Sequence, residues 1–174
     1  KHEDIHDIRA ASKPIKLFLS YAHRDESLRE ELVKHLSLLQ REGVIQTWHD
    51  RNINAGDDWK QQIDDNLNTA TVILLLISAD FLASDYCYKT EMQRALERHN
   101  AGEARVIPVL LRPVDWHSAP FGTLQALPAD ATPITSWTNR DEAYANVAQG
   151  VRRAVEAMLR PTLPGETAAG TIAS

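Results

Sequence analysis

Six consecutive apolar residues, Val72–Ile77, are the feature that most constrains the fold of this chain. They lack the alternation of polar and apolar residues that a half-solvated strand shows, so we predict a strand covered on both faces. Strands of this kind lie at the centre of parallel sheets flanked by helices. Because ligands of open parallel sheets bind beyond the carboxyl ends of the strands, residues 78–84 are predicted to form the rim of a site.

The helix predicted after this strand carries an acidic residue, Glu91. Ser84 or Asp85 can cap the start of the helix, and Cys87 and Glu91 then lie one turn apart on the same face. A carboxylate on this face, next to the rim of the sheet, is a candidate functional group. The alternative is an exposed helix glutamate paired with a neighbouring basic residue.

Strands and helices alternate along the whole chain. Strands are predicted at 15–20, 44–48, 72–77, 106–111 and 133–135, and helices at 25–42, 59–70, 85–99 and 141–159. This order predicts an α/β fold, a doubly wound sheet of about five parallel strands. Pro108 lacks a ladder donor, which predicts an edge position or a bulge. Trp59 continues the apolar stripe of Ile63 and Leu67, so we predict that it packs in the core, and Trp48 is also assigned a structural role.

Composition limits the possible classes of protein. A chain of 174 residues fits one domain, and its single cysteine excludes an internal disulfide and a cysteine-based zinc cluster, which favours the cytoplasm. A net charge of -5 without a basic stripe argues against nucleic-acid binding. The apolar runs are too short to cross a membrane. We assign residues 1–13 to a leader, 14–160 to the domain, and 161–174 to a flexible tail or linker that leads to a sensor or oligomerising domain in a longer parent protein.

Several common chemistries lack their signatures. Neither glycine-rich nucleotide-binding motif occurs, and the segment after the first strand offers Ser20, Tyr21, Ala22 and His23 rather than the clustered acids of a phosphoreceiver domain. The histidines fall on separate elements, so no metal site is expected. A serine elbow for acyl transfer is also missing.

Three ordered motifs carry a resemblance to a known family. They are residues 18–22 (Phe-Leu-Ser-Tyr-Ala), the loop 50–56 followed by Trp59, and residues 84–91 (Ser-Asp-Tyr-Cys-Tyr-Lys-Thr-Glu). Together they resemble a TIR (Toll/interleukin-1 receptor) domain of the bacterial type, over residues 13–159. The resemblance implies a flavodoxin-like three-layer sandwich. It also implies NAD+ as a substrate without a further cofactor, because many members cleave the bond between nicotinamide and ribose.

The resemblance assigns roles to particular residues. It places the catalytic glutamate of the family at Glu91, and it makes residues 49–56 the BB loop, through which subunits associate and become active in signalling or immune defence. Many active relatives carry a tryptophan one turn before the glutamate, where this chain has Cys87 after Tyr86. Aromatic cover for the nicotinamide ring is then expected from Tyr86 or from Trp116.

The chemistry of NAD cleavage requires only one carboxylate in principle. Nicotinamide leaves as a neutral base without a general acid, while positive charge builds on the ribose. Glu91 can hold the ribose hydroxyls and stabilise that charge. The cysteine itself is predicted to be a small buried apolar residue rather than a nucleophile.

The diphosphate requires hydrogen-bond donors, and the start of the first helix offers free backbone N–H groups beside His23 and Arg24. Alternatively, Arg24 pairs with an exposed acid and His23 faces water. In the loop, Gly56 permits close approach of another backbone and Asn54 can reach a ligand through its amide, unless this is a plain connecting loop. The predicted binding site comprises Ser20, Tyr21, Ala22, His23, Arg24, Asn54, Gly56, Ser78, Tyr86, Cys87 and Trp116, with Glu91 as the catalytic residue.

We therefore predict an NAD+ glycohydrolase or cyclase that self-associates through the BB loop. Two alternatives remain open, a non-enzymatic TIR adaptor and an enzyme similar to nucleoside glycosyltransferases. The sequence leaves open whether the product is linear or cyclic ADP-ribose, because water and an adenine nitrogen compete for the same ribosyl carbon.

Overall fold

Four parallel strands form the central sheet in the order β2-β1-β3-β4. The computed structural model describes residues 13–50 and 53–159. The strands are β1 (Ile15–Ser20), β2 (Ile45–Trp48), β3 (Val72–Ile77) and β4 (Arg105–Leu110). All six residues of β3 are buried, as its continuous apolar sequence predicts.

Helices cover both faces of the sheet. They are α1 (Glu26–His35), α2 (Ser37–Arg41), α3 (Trp59–Thr69), α4 (Ala79–Ala83), a π-helical segment (Tyr86–Met92), α5 (Gln93–Asn100) and α6 (Arg140–Leu159). One apolar core joins the sheet to α1, α2 and α6. A second core joins its other face to α3, the π-helical segment and α5. The predicted three-layer α/β sandwich is confirmed, and its strand order agrees with the first four strands of a flavodoxin-like sheet.

The prediction of a fifth strand at residues 133–135 is wrong. Ile134–Ser136 forms a 3-10 turn, because the Pro133 carbonyl accepts the Ser136 N–H at 2.9 Å and is not available to a ladder. One bond, from the Thr135 N–H to the Leu111 carbonyl at 3.1 Å, still reaches the end of β4. An isolated bridge pairs Val109 with Leu127 in place of the missing strand.

The outer edge of β4 confirms the prediction that Pro108 lies at an edge. Its carbonyl accepts from the Leu127 N–H on the side away from β3, so the missing donor removes no bond within the sheet. The neighbouring outward N–H groups are occupied, since Val106 donates to His99 Nδ1 at 3.0 Å and Leu110 donates to the Leu127 carbonyl at 2.8 Å.

The ends of the chain were assigned to a leader (1–13) and a tail (161–174), and both lie outside the described residues apart from Lys13. Within the described part of the chain, no helix has the length and apolar character that would let it span a membrane.

Candidate active site

A cavity of about 610 Å³ opens beside the carboxyl ends of β1 and β3. This volume is in the range of small-molecule sites. Its apolar wall includes Phe18, Leu19 and Ile63, and its polar residues come from the segment after β1, the loop after β2 and the π-helical segment. The rim predicted from the sheet topology therefore coincides with a concave surface.

Glu91 is buried in the wall of this cavity, with a relative exposure of 6%. The Ser20 hydroxyl, at the end of β1, donates a hydrogen bond of 2.6 Å to Glu91 Oε1. The alternative of an exposed helix glutamate is therefore excluded. The neighbouring bases have other partners: Lys89 lies 3.7 Å from Asp85, and Arg94 pairs with Glu97 at 3.2 Å.

The backbone around Glu91 is π-helical rather than α-helical. Ser84 caps the segment by accepting the Cys87 N–H at 3.2 Å, whereas the Asp85 side chain makes no capping bond. A π-helix has i to i+5 hydrogen bonds and a wider turn, so residues four and five positions apart share a face. Tyr86 and Cys87 both line the cavity together with Glu91 as a result. Single π-helical turns are rare in proteins overall, and those that occur are often found at functional sites.

Burial raises the pKa of Glu91 from 4.5 to about 7. This value already includes a lowering by hydrogen bonds from Ser20 and Cys87 and a raising by the charges of Asp50 and Asp64. Burial also raises the pKa of the Cys87 thiol to about 12, so the cysteine is a protonated thiol and a poor nucleophile.

The start of the BB loop is held against the end of β1. The Tyr21 hydroxyl donates to Asp50 Oδ1, and the Arg29 guanidinium lies 5.2 Å from the centre of the Tyr21 ring. Burial, followed by this hydrogen bond to Asp50, raises the pKa of Tyr21. His23 Nε2 lies 3.8 Å from Asp50 Oδ2, and the His23 side chain is exposed.

A second polar network joins the ends of three strands beneath the cavity. The Ser78 hydroxyl donates to the buried Asp25 carboxylate and accepts the Phe81 N–H, which caps α4. Arg112, after β4, donates to Asp25 at 2.6 Å and also to Asp80. The turn that carries His23 and Arg24 is thereby fixed to the rest of the rim.

The structure brings seven of the twelve predicted site residues into the cavity wall: Tyr21, Ala22, His23, Arg24, Tyr86, Cys87 and Glu91. Ser20 contributes through its bond to Glu91. Ser78 belongs to the network beneath the cavity, and Asn54 and Gly56 are exposed in the BB loop, outside the lining residues.

Two tryptophans are placed differently from the predictions. Trp116 is 9% exposed, stacks on Phe121 at 6.4 Å and is not among the cavity-lining residues, because the segment after β4 folds back into the core. The prediction that Trp59 packs in the core is wrong, since it is 55% exposed and lines the cavity. It begins α3, and this first turn extends beyond the core that buries Ile63 and Leu67.

The cavity has further lining residues that the predicted binding site did not include: Trp48, Asp50, Ile53, Trp59, Asp80 and Ser84. Asp80 and Ser84 nevertheless lie in the rim that was predicted at residues 78–84. Trp48 stacks on Phe18 at 5.3 Å and so combines the expected structural role with a place in the cavity wall. Asp50 and Asp80 follow β2 and β3, so the rule that sites form beyond strand ends was the available signal for both.

Comparison with known proteins defines the family. Residues 17–151 match the TIR domain family, and the chain belongs to it. A protein of Sinorhizobium fredii strain NGR234, named uncharacterized protein y4lF, is 59% identical over 144 residues, which are 83% of this chain and 45% of that protein. The chain thus spans less than half the length of this curated relative.

Solved TIR domains are similar in structure. The TIR domain of the Toll-related receptor TRR-2 from Hydra magnipapillata superposes with a TM-score of 0.55 at 22% identity, covering 80% of this chain and 97% of that one. The TIR domains of the activated Roq1 resistosome give a TM-score of 0.47 at 23% identity, with coverages of 78% and 84%. The likeness to the Hydra domain supports the fold alone.

Proposed function

We propose that this TIR domain is an NAD+ glycohydrolase or cyclase, and that Glu91 is its catalytic residue. The observation that carries the proposal is a buried carboxylate in the wall of a cavity at the carboxyl end of a parallel sheet. A buried carboxylate whose pKa is raised and that faces a concave surface is a candidate functional group on physical grounds alone.

The proposed reaction breaks the bond between the ribose carbon and the nicotinamide nitrogen. The electron pair stays on the ring, which leaves as neutral nicotinamide, and the ribosyl group develops positive charge. Ionised Glu91 stabilises that charge from a preorganised position that Ser20 helps to fix. Water then forms the new bond and releases a proton to give ADP-ribose, or an adenine nitrogen forms it to give the cyclic product.

The remaining polar groups suit a dinucleotide. His23 and Arg24 are exposed on the cavity wall and offer positive or hydrogen-bonding groups to the diphosphate. The His23 and Arg24 N–H groups add backbone donors, because they precede the first helical bond of this turn, from the Asp25 N–H to the Ala22 carbonyl at 2.8 Å. The Asp25, Ser78 and Arg112 network supports the proposal because it holds this turn in place.

Nicotinamide release from NAD+ tests the proposal directly. Glu91→Gln is expected to lower kcat by about 10²- to 10³-fold, the usual range for one preorganised electrostatic group. Glu97→Gln is the matched control, because Glu97 is an exposed glutamate paired with Arg94 on the following helix. If clustered wild type released no nicotinamide, an adaptor would be the better assignment, and if Glu91→Gln matched wild type, the site would be elsewhere.

Assembly, location and substrate range belong to the same proposal. We propose self-association through the BB loop, a cytoplasmic location, and a role in signalling or immune defence. The protonated, buried Cys87 suits a reducing compartment. Cleavage of a nucleoside that lacks the diphosphate, at a rate similar to NAD+, would instead indicate an enzyme of the glycosyltransferase type.

A further inference from the structure

Trp59 has an unusual environment for a large aromatic residue. It is 55% exposed, yet it lines the same cavity as Glu91. Trp48 also lines the cavity, but its ring is already stacked on Phe18 with the planes inclined by 21°. More than half of the Trp59 surface therefore remains available beside the cavity, and burial by a ligand would remove apolar area from water.

Tyr86 lies next to Trp59 and offers an unpaired polar group. The two ring centres are 5.5 Å apart with the planes inclined by 59°. The Tyr86 hydroxyl is buried and has no hydrogen-bond partner among the residues that the structure describes. An unpaired buried hydroxyl is unfavourable, and a ligand atom that accepts a hydrogen bond from it would offset this cost.

The charge of the cavity favours a cationic ring at this wall. Tyr86 and Glu91 are on the same face of the π-helical segment, and Asp50 and Asp80 also line the cavity. A planar cation beside an indole gains a cation–π interaction, which is strongest for tryptophan among the aromatic side chains. Cys87 supplies a small side chain on this face and leaves the aromatic surface to Trp59.

We propose that Trp59 determines substrate specificity by stacking on the pyridinium ring of NAD+, while the Tyr86 hydroxyl donates to the ring's carboxamide. This inference rests on the proposed function and assigns a residue that the sequence had placed in the core. The ring's positive charge distinguishes it from adenine, the other planar group of the same substrate. Cleavage neutralises the ring, which removes the cation–π attraction and favours release of nicotinamide.

Binding to the Glu91→Gln protein tests the inference while turnover is slowed about 10²- to 10³-fold. Affinities for NAD+, nicotinamide mononucleotide and ADP-ribose are measured by calorimetry with and without Trp59→Ala. We expect the two pyridinium ligands to bind about tenfold more weakly in Trp59→Ala and ADP-ribose to change less than about twofold. Trp59→Phe should recover part of the loss, and Leu38→Ala, at a residue that is 60% exposed and outside the cavity lining, should change none of the affinities.

The outcomes separate this inference from the proposed function. Equal weakening of all three ligands would assign Trp59 to the adenine or to general packing, and unchanged affinities would remove it from the site. Either result overturns the inference, while nicotinamide release by wild type would still uphold the reaction. If wild type neither cleaved NAD+ nor bound any of the ligands, both proposals would fail.

Discussion

Glu91 is an acid whose proton affinity depends on its surroundings. With a pKa of about 7, both the protonated and the ionised form of the Glu91 carboxyl group are populated near neutral pH. The proposed chemistry requires the ionised form, and a cationic substrate favours that form by attraction. The same burial that raises the pKa strengthens the interaction of the ionised group with developing positive charge.

The pH dependence of kcat/KM follows from this pKa. Below about pH 7 the free enzyme loses the ionised form, so kcat/KM is expected to rise about tenfold per unit up to that point and to level off above pH 8. Initial rates of nicotinamide release between pH 5 and 9 measure the profile. A constant kcat/KM from pH 5 to 7 in a fully folded protein would contradict it.

Stability should depend on pH in the opposite sense. Folded Glu91 keeps its proton up to about pH 7, while the unfolded chain releases it near pH 4.5, so the free energy of unfolding falls as the pH rises between these values. Glu91→Gln removes this term and still accepts the Ser20 bond. We expect the variant to gain about 3 kcal/mol at pH 8 and almost nothing at pH 4.5. Denaturant unfolding at both pH values measures the difference, and equal gains at both would refute the assignment.

At the residue scale, a sequence pattern placed Glu91 correctly in the cavity wall, and its catalytic role stays a prediction. Glu91 was found from the helix after β3 and from the family motif, both of which depend on local order in the chain. Trp59 was misplaced because an apolar stripe reports which face of a helix is turned inward, and not how far the core extends along it. Its exposure follows from its place in the first turn of α3, beyond the core that buries Ile63 and Leu67.

At the scale of elements, Arg98 joins α5 to the end of α3. Its Nη1 donates to the carbonyls of Leu67 and Ala70 at 2.8 and 2.6 Å, and Nη2 donates to the Glu103 carbonyl at 3.2 Å. These carbonyls lie at the helix end and in the following turn, where backbone groups lack helical partners. One side chain therefore supplies hydrogen bonds to backbone carbonyls where the two helices and the loop meet.

Replacing this side chain should destabilise the domain. Arg98→Met leaves the buried carbonyls unpaired and is expected to lower the free energy of unfolding by about 2–4 kcal/mol. Arg94→Met is the matched control, because Arg94 is exposed and bonds to Asn68 and Glu97 on the surface. Its expected effect is within about 0.5 kcal/mol. Comparable losses in guanidinium unfolding would show that burial of Arg98 is unimportant.

Element types were largely predictable, but two features were not. The π-helical turn requires one extra residue per turn, and the spacing of Tyr88, Met92 and Leu96 is also that of an α-helix. The fifth strand was predicted wrongly because a turn forms at Pro133. In that turn the Pro133 carbonyl accepts the Ser136 N–H, so it is not available for a strand ladder. In both cases backbone hydrogen bonds decide between two structures, π-helix or α-helix in the first and turn or strand in the second. The pattern of apolar and polar side chains is nearly the same for both structures.

At the scale of the whole molecule, the proposed assembly can be tested with paired glycine variants. Gly56, in the BB loop, and Gly102, after α5, both have positive φ values (90° and 76°), and an added Cβ at either would meet no atom within 4 Å. Alanine at either position introduces a similar backbone strain, but only Gly56→Ala disturbs the loop. The pair therefore separates a local loss of stability from a loss of association.

We expect the specific activity of wild type to climb with protein concentration. Gly56→Ala should weaken this rise several-fold, while Gly102→Ala should follow wild type after correction for any unfolded fraction. The measurement is nicotinamide release over a wide dilution series together with light scattering. Two results would contradict a role of the BB loop in self-association. One is a specific activity of wild type that does not change with protein concentration, and the other is an equal effect of the two variants.

The limits of the domain, at residues 14–160, stay a prediction, as does a further module in the parent protein. The family match covers residues 17–151, which lie within these limits. The tail was assigned from its composition, because its sequence shows no periodic pattern of apolar residues that would predict a helix or a strand.

The capped outer edge of β4 restricts how copies of this domain can be joined. A strand that paired with this edge would need backbone N–H donors from β4. The Val106 N–H is bonded to His99, the Leu110 N–H is bonded to the Leu127 carbonyl, and Pro108 has no N–H. The outer edge of β4 therefore offers no free backbone donor at these three positions to a strand of another copy. At this edge the proposed self-association would use side chains and loops, and contacts of that kind separate more readily than a continuous sheet between subunits.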